Sequence, residues 1–200
     1  MNDKIGIERT LVLIKPDGVF RGLIGKIINR FEEAGLKITG MKMVWVDEAF
    51  AREHYKLDEE WAKNVFEKTK TTNEKQGKKF PYKDHMEFGG LIQKWNMDFL
   101  REGPVVAIVF QGPHSIEIVR KIVGSTEPRQ AVPGTIRGDF ASFESYEIAN
   151  TKERVLRNLI HASDSRENAE REIKLWFADK EIHSYKNVHD FIATSQINSS

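Results

Sequence analysis

The octapeptide Asn158-Leu159-Ile160-His161-Ala162-Ser163-Asp164-Ser165 sets a single imidazole at the seam between an apolar run and a predicted helix start. Imidazole has an unperturbed pKa of about 6.5, so a large neutral fraction at physiological pH can attack an electrophilic phosphorus or take a proton. Val155, Leu156, Leu159 and Ile160 read as the end of a buried strand. Asp164, with Glu167 three residues on, reads as a capping-box signal for the helix that follows. This placement suits a nucleophile, although for a lone histidine the structural reading is the commoner one. Lys15, where the run 10–14 gives way to Lys15-Pro16-Asp17-Gly18, also has two readings: a phosphate or ribose contact at a strand end, or a solvated turn lysine. The turn-rich, cationic stretch 124–140 supplies threonine hydroxyls, backbone N–H groups and Arg137. A long loop of that kind inside a compact domain points to a task, and arginine grips phosphate in a bidentate fork.

The elements that must position these groups follow from periodicity. The run 10–14 reads as a buried strand followed by a turn. Ile24, Ile27, Ile28 and Phe31 fall at i, i+3, i+4 and i+7, one face of a helix that Gly35 ends. Residues 36–46 alternate loosely, with Leu36 and Ile38 facing one way and Met41, Met43 and Trp45 the other, as in a strand covered on both sides. A short helical stretch carries His54 and Tyr55. Further helices are predicted around 59–70 and 91–100, and the lysines near them read as a solvated face. Residues 104–110 form a continuous apolar run, hence a central strand, and Ile116, Val119 and Val123 mark a helix with Arg120 on another face. The histidine strand comes next, after an insertion-like stretch 142–154, and then a helix with Ala169, Ile173 and Trp176 inside. The order predicts a small α/β (α+β) sandwich, a four-stranded, mostly antiparallel sheet covered by helices.

Composition narrows the function classes. The chain's 200 residues, 40% of them hydrophobic, are compatible with one domain and one sizeable core. One domain is expected over 1–200, with insertions at about 59–95 and 142–154 and a polar tail over 193–200. A net charge of +1 gives no global field for nucleic acid or membrane, so any anion site must be local. Cysteine is absent, which excludes disulfides and thiolate metal sites. With no signal peptide in view and no apolar run near the roughly 20 residues of a membrane span, a cytoplasmic protein is expected.

Six blocks, in order, resemble the nucleoside diphosphate kinase family: Thr10-Leu-Val-Leu-Ile-Lys-Pro-Asp-Gly18, Arg21-Gly-Leu-Ile-Gly25, His54-Tyr55, Gly103-Pro-Val-Val106, Pro133-Gly-Thr-Ile-Arg-Gly-Asp-Phe140 and the octapeptide around His161. The resemblance implies a ferredoxin-like fold, a homo-oligomer (hexamer or tetramer), and transfer of the γ-phosphoryl of ATP or another nucleoside triphosphate through a histidine to a nucleoside diphosphate. Matched position by position, it implies His161 as nucleophile, with Asn158 and Lys15 holding the ribose hydroxyl and the migrating phosphate. Arg120, Thr126 and Arg137 match phosphate ligands, and Tyr55 matches an active-site tyrosine near the histidine. Glu172 matches the carboxylate that orients the imidazole, and Ser163 matches a serine that supports it. Without the family, Glu172 reads as an exposed helix glutamate. Mg2+ is expected to arrive on the nucleotide phosphates, because no carboxylate cluster looks like a cage.

Three features depart from the family pattern. Ala162 stands where glycine is usual, acceptable if φ there is negative. The segment after Tyr55 is longer and lacks the Pro-Phe-Phe pattern, so Trp61 and Phe66 are both candidates for stacking on the base. The stretch 142–154 is inserted between the arginine loop and the histidine strand, where it could cover the site or alter subunit contacts. Rival functions find less in the sequence. A nucleotide-binding or scaffolding module that has lost catalysis would not need His161 beside Lys15, Arg120, Arg137 and Asn158. An RNA-binding sheet needs an aromatic signature that the strand 104–110 lacks. A P-loop fails because Phe20 occupies the place of its first glycine, and the other histidines show no ligand spacing with His161.

Overall fold

A computed structural model describes residues 6–75 and 77–190, so the polar tail at 193–200 lies outside the described residues. In chain order the elements are β1 (Ile7–Ile14), α1 (Pro16–Phe20), α2 (Ile24–Glu32), β2 (Lys37–Val44), α3 (Glu48–His54), α4 (Glu59–Lys75), α5 (His85–Arg101), β3 (Val105–Pro113), α6 (Ser115–Val123), α7 (Ile136–Phe140), α8 (Tyr146–Thr151), β4 (Ile160–Ala162) and α9 (Arg166–Trp176). They fall into two compact units, Met1–Trp45 with Gly103–Ser200, and Val46–Glu102.

The first unit holds a four-stranded sheet of order β2-β3-β1-β4, antiparallel at every pairing. Strand alternation divides its side chains between two faces. Val12 and Ile14 join Val106, Ile108 and Phe110 in the core beneath Ile27 and Phe31 of α2 and Val119 and Val123 of α6. Phe31 meets Phe110 with ring centroids 4.7 Å apart. Leu11 and Leu13 point the other way, toward the face where α9 lies against β1. The helix α9 can lie there because Ala169, Glu172, Ile173 and Trp176, spaced i, i+3, i+4 and i+7, form its buried stripe.

Several elements differ from the sequence expectation, each for a local reason. The turn after β1 is the short helix α1: Pro16 occupies its first position, where a missing N–H costs nothing and φ is already helical. β2 is an edge strand, and the expected cover on both sides holds only over its first half: Lys37, Thr39 and Gly40 are buried, while Met41, Met43 and Trp45 are exposed. A bulge between Ile38 and Gly40 shifts the register by one residue, so Ile38 pairs with Phe110 and Met41 with Ile108. Side chains read as opposite in parity therefore share a face. The stretch 124–140 is not structureless, since it contains a 3-10 turn (Pro128–Gln130) and α7. The inserted stretch 142–154 contains α8. β4 begins only at Ile160, because Leu159 has φ +66°, a left-handed conformation that breaks strand pairing. The cap of α9 is Ser165, whose Oγ accepts from Asn168 N (3.2 Å), while Asp164 accepts from the Asn168 side chain (2.7 Å).

The second unit is helical, and each of its three helices starts on an aspartate cap. Asp47, Asp58 and Asp84 accept from the N–H groups of Phe50, Trp61 and Glu87 at 2.7–2.8 Å. The predicted stretches around 59–70 and 91–100 extend to 17 residues each in α4 and α5. Gly89 lets these two helices meet, since a Cβ there would sit 2.8 Å from the Ala62 Cβ. Phe66 is buried against Phe80 and Phe88, so it belongs to this unit's aromatic core; Trp61 is half-buried on the first turn of α4.

Candidate active site

Register places the histidine. His161 stands opposite Leu13 in the β1–β4 pairing, so its ring points to the α9 face, while Ile160 and Ala162 point into the α2/α6 core. Glu172 lies on the buried stripe of α9, and its Oε2 is 3.0 Å from His161 Nε2. Ser163, two residues on and therefore on the same face, donates from Oγ to the same Oε2 (2.6 Å) and accepts from Leu11 N (3.3 Å). A carboxylate can only accept, so Nε2 carries the proton and the ring lone pair sits on Nδ1. The imidazole is partly exposed, at 23% of its side chain, while Glu172 and Ser163 are buried. Ala162 is in β4 and outside the positive-φ set, so its methyl meets the condition set for it.

A second group surrounds the chain just before the histidine. Lys15, the N-cap residue of α1, is buried and donates from Nζ to Asn158 Oδ1 (2.9 Å). Asn158 in turn donates from Nδ2 to the Thr126 carbonyl (3.0 Å). Arg137 is also buried, and it bridges three carbonyls: Nε to Asn158 (3.1 Å), Nη1 to Gly124 (3.0 Å) and Nη2 to Ile160 (2.7 Å). Its guanidinium thus joins the loop 124–140 to both sides of Leu159. These bonds use three of five N–H groups, which leaves the fork two for an anion.

Charge in this group is held against its preference. Burial, then the nearby Arg137, lower the Lys15 pKa to about 7, with Asp17 opposing. Burial, then Arg120, lower that of Arg137 to about 10, with Tyr146 and Asp17 opposing. Cations crowded in this way favour an anionic ligand, which offsets both desolvation and mutual repulsion.

The structure joins His161, Glu172 and Ser163 in one bonded set, and Lys15, Asn158, Thr126 and Arg137 in another. Arg137, bonded to the Ile160 carbonyl, links the two. Arg120 is exposed on α6 and acts on Arg137 through its charge; the exposed Thr126 takes part through its carbonyl. Tyr55 belongs to the second unit, where its carbonyl accepts from Gln93 Nε2 (2.7 Å) and its ring stands edge-on to His54. Sequence reasoning missed Asp17, which accepts from Leu159 N through Oδ2 (3.0 Å) and from Gly18 N through Oδ1 (3.0 Å). Its signal was its place in Lys15-Pro16-Asp17-Gly18, directly after the proline that opens α1 and two residues from the lysine. Among the described residues, no group of three His, Asp or Glu side chains converges as a metal site, and no helix is long and apolar enough to cross a membrane.

An antiparallel β2-β3-β1-β4 sheet with helices on both faces is the ferredoxin-like arrangement, and its oriented imidazole beside buried cations defines the class: an enzyme that transfers an anionic group. The comparisons narrow the class. The nucleoside diphosphate kinase family profile matches residues 8–78 and 68–182. A nucleoside diphosphate kinase of Pyrobaculum aerophilum is 43% identical over 180 residues, covering 88% of this chain and 98% of its own. That of Pyrococcus furiosus is 44% identical, covering 92% of each. In structure, the NDP kinase of Pyrobaculum aerophilum superposes with a TM-score of 0.85 at 40% identity, over 89% of this chain and all of its own. A transition-state mimic of the Borrelia burgdorferi enzyme with bound vanadate and ADP gives 0.77 at 39% identity, over 93% and 96%. The chain belongs to the nucleoside diphosphate kinase family.

Proposed function

We infer that the chain is a nucleoside diphosphate kinase that works by a ping-pong mechanism through His161. The Nδ1 lone pair attacks the γ-phosphorus of a nucleoside triphosphate. The bond from phosphorus to the β,γ-bridging oxygen breaks, and the diphosphate leaves with the electron pair. A second diphosphate then attacks the phosphohistidine through a terminal β-phosphate oxygen, and the P–N electrons return to Nδ1. Glu172 holds the Nε2–H and balances the positive charge that the ring gains, and Ser163 fixes Glu172. Lys15, Arg120 and the remaining Arg137 N–H groups receive the phosphates, Thr126 adds a hydroxyl, and Asn158 holds a ribose hydroxyl or a phosphate oxygen. Phosphoryl transfer asks the protein for positioning and electrostatic stabilisation, which is the work these side chains are suited to do.

The observation that carries this reading is the 3.0 Å contact of His161 Nε2 with a buried carboxylate, because it assigns the lone pair to the other nitrogen. Mg2+ enters as part of the substrate, on the triphosphate, because a magnesium ion held mainly by phosphates needs no dedicated carboxylate cage. A cytoplasmic location belongs to the same reading, supported by the absence of cysteine. So does a homo-oligomer, a hexamer or tetramer. The exposed Met41, Met43 and Trp45, at the end of β2 and just beyond it, support it as an apolar strip of the kind that subunit contacts cover.

Incubation with γ-labelled ATP and Mg2+, without acceptor, tests the mechanism. The protein is expected to take an acid-labile, base-stable label that nucleoside diphosphate discharges and that His161→Ala cannot take. Label retained in that variant contradicts the reading.

A further inference from the structure

Leu159, the residue two before the histidine, is the strained point of the site. Its φ is +66°, and Ile160 N donates to Asn158 O (2.8 Å), an i to i+2 hydrogen bond that closes a γ-turn on it. A γ-turn with positive φ is rare, and for a non-glycine residue it persists only when its surroundings hold it. The surroundings here come from one short segment. Lys15 N donates to the Leu159 carbonyl (2.8 Å), and the Leu159 N–H donates to Asp17 Oδ2 (3.0 Å). Both polar groups of this backbone unit are thus held by residues 15 to 17. Because Leu159 is fully buried, water cannot take over either bond.

Asp17 also faces the cations of the site. Its charge acts on Lys15 and Arg137, and Lys15 and Arg157 act on it; these are the charged groups that bear on its carboxylate. Burial pushes the Asp17 pKa up, while Lys15, the Leu159 and Gly18 N–H groups and Arg157 pull it down. A carboxylate kept in that position stands where losing its charge affects the lysine and losing its oxygens affects the γ-turn.

We propose that Asp17 is a positioning residue for phosphoryl transfer: its Oδ2 clamps the strained Leu159 backbone that aims His161, and its charge is the counter-ion of Lys15. This rests on His161 being the phosphate carrier. Asp17 itself touches neither phosphate nor imidazole, and it acts through the two residues that do. The two halves of the role separate in two variants. Asp17→Asn can keep an acceptor oxygen for Leu159 N–H while losing the charge and the bond from Gly18 N, whereas Asp17→Ala loses all three.

The test uses the full chain, with folding of each variant checked by thermal unfolding, and reads kcat, KM, the pH profile of kcat/KM and the rate of labelling from γ-labelled ATP with Mg2+. Asp17→Asn is expected to keep kcat within about threefold at pH 6 and to lose about tenfold in kcat/KM at pH 8, because Lys15 without its counter-ion loses its proton at lower pH. Asp17→Ala is expected to lose about a hundredfold in kcat at both pH values, with a smaller change in KM and correspondingly slow labelling. An Asp17→Asn profile that superimposes on the wild type overturns the proposal. So does an Asp17→Ala loss no larger than its unfolded fraction accounts for. Label in the wild type, taken up equally by both variants, sinks the Asp17 role alone; no label in the wild type sinks it together with the phosphohistidine reading.

Discussion

At the scale of single residues, the site sets one orienting bond against a cluster of buried positive charge. Lys15 shows what that cluster costs. Its pKa near 7 in the folded chain lies far below the 10.5 of an ordinary lysine, so at neutral pH the unfolded chain binds more protons at this position. The sign follows: the penalty is complete below pH 7 and fades as pH rises from 7 toward 10.5. Lys15→Met is therefore expected to raise stability by roughly 2–4 kcal/mol at pH 6, with the gain disappearing by about pH 10, as read from urea unfolding at each pH. The same variant should lose about a hundredfold or more in kcat/KM, because a charge aimed at the migrating phosphoryl is gone. A variant less stable than the wild type at pH 6 and no slower would contradict the assignment. His161 and Lys15 were legible as residue types with matching chemistry. Asn158 and Glu172 were legible only through the family resemblance, since i, i+3, i+4 spacing marks a stripe on α9 without saying that a carboxylate in it will find an imidazole.

At the scale of elements, the positions of β1, α1 and β4 decide where the histidine points. Proline opens α1 directly after β1, and this brings Lys15 N and Asp17 to the backbone of Leu159. Gly18 makes the approach possible: a Cβ there would lie 2.8 Å from Ile14 Cγ2 and 3.2 Å from the Leu159 carbonyl oxygen. Gly18→Ala is expected to cost about 1–3 kcal/mol and to lower kcat about tenfold, since the oxygen it crowds belongs to the γ-turn. Calorimetry and steady-state kinetics would check the pair, and a variant with unchanged kcat would show that the γ-turn tolerates displacement. Apolar patterning foretold β1 and β3 because each is a continuous buried run, and α2, α6 and α9 because each buries one regular stripe. It missed the β2 bulge, the γ-turn and α1, since a register slip and a positive φ leave no mark on hydrophobic periodicity, and Pro16 marks a helix start as readily as a turn.

At the scale of the whole molecule, near-neutral charge and a local cation cluster fit together. With a net charge of +1, the chain has little general attraction for anions, so the proposed phosphate binding falls to the few cations near Leu159. The family match spans most of both chains, consistent with the fold being shared throughout. Ordered motifs made that legible in the sequence. The edge exposure of Met41, Met43 and Trp45 was not legible, because their spacing describes a buried strand equally well. Sedimentation equilibrium is expected to give a hexamer or tetramer at micromolar concentration, and charged residues at Met41 and Met43 should shift the distribution toward smaller species. A wild-type monomer would contradict the oligomer.

The claim on which the account rests is that Glu172, by holding Nε2, commits the other ring nitrogen to chemistry. Phosphorus NMR of the protein phosphorylated by ATP and Mg2+ in the absence of acceptor, with His161→Ala as reference, reads which nitrogen carries phosphate. One phosphohistidine signal is expected, of the Nδ1 isomer, absent from His161→Ala. A signal of the Nε2 isomer, or a phosphohistidine that survives in His161→Ala, would contradict it.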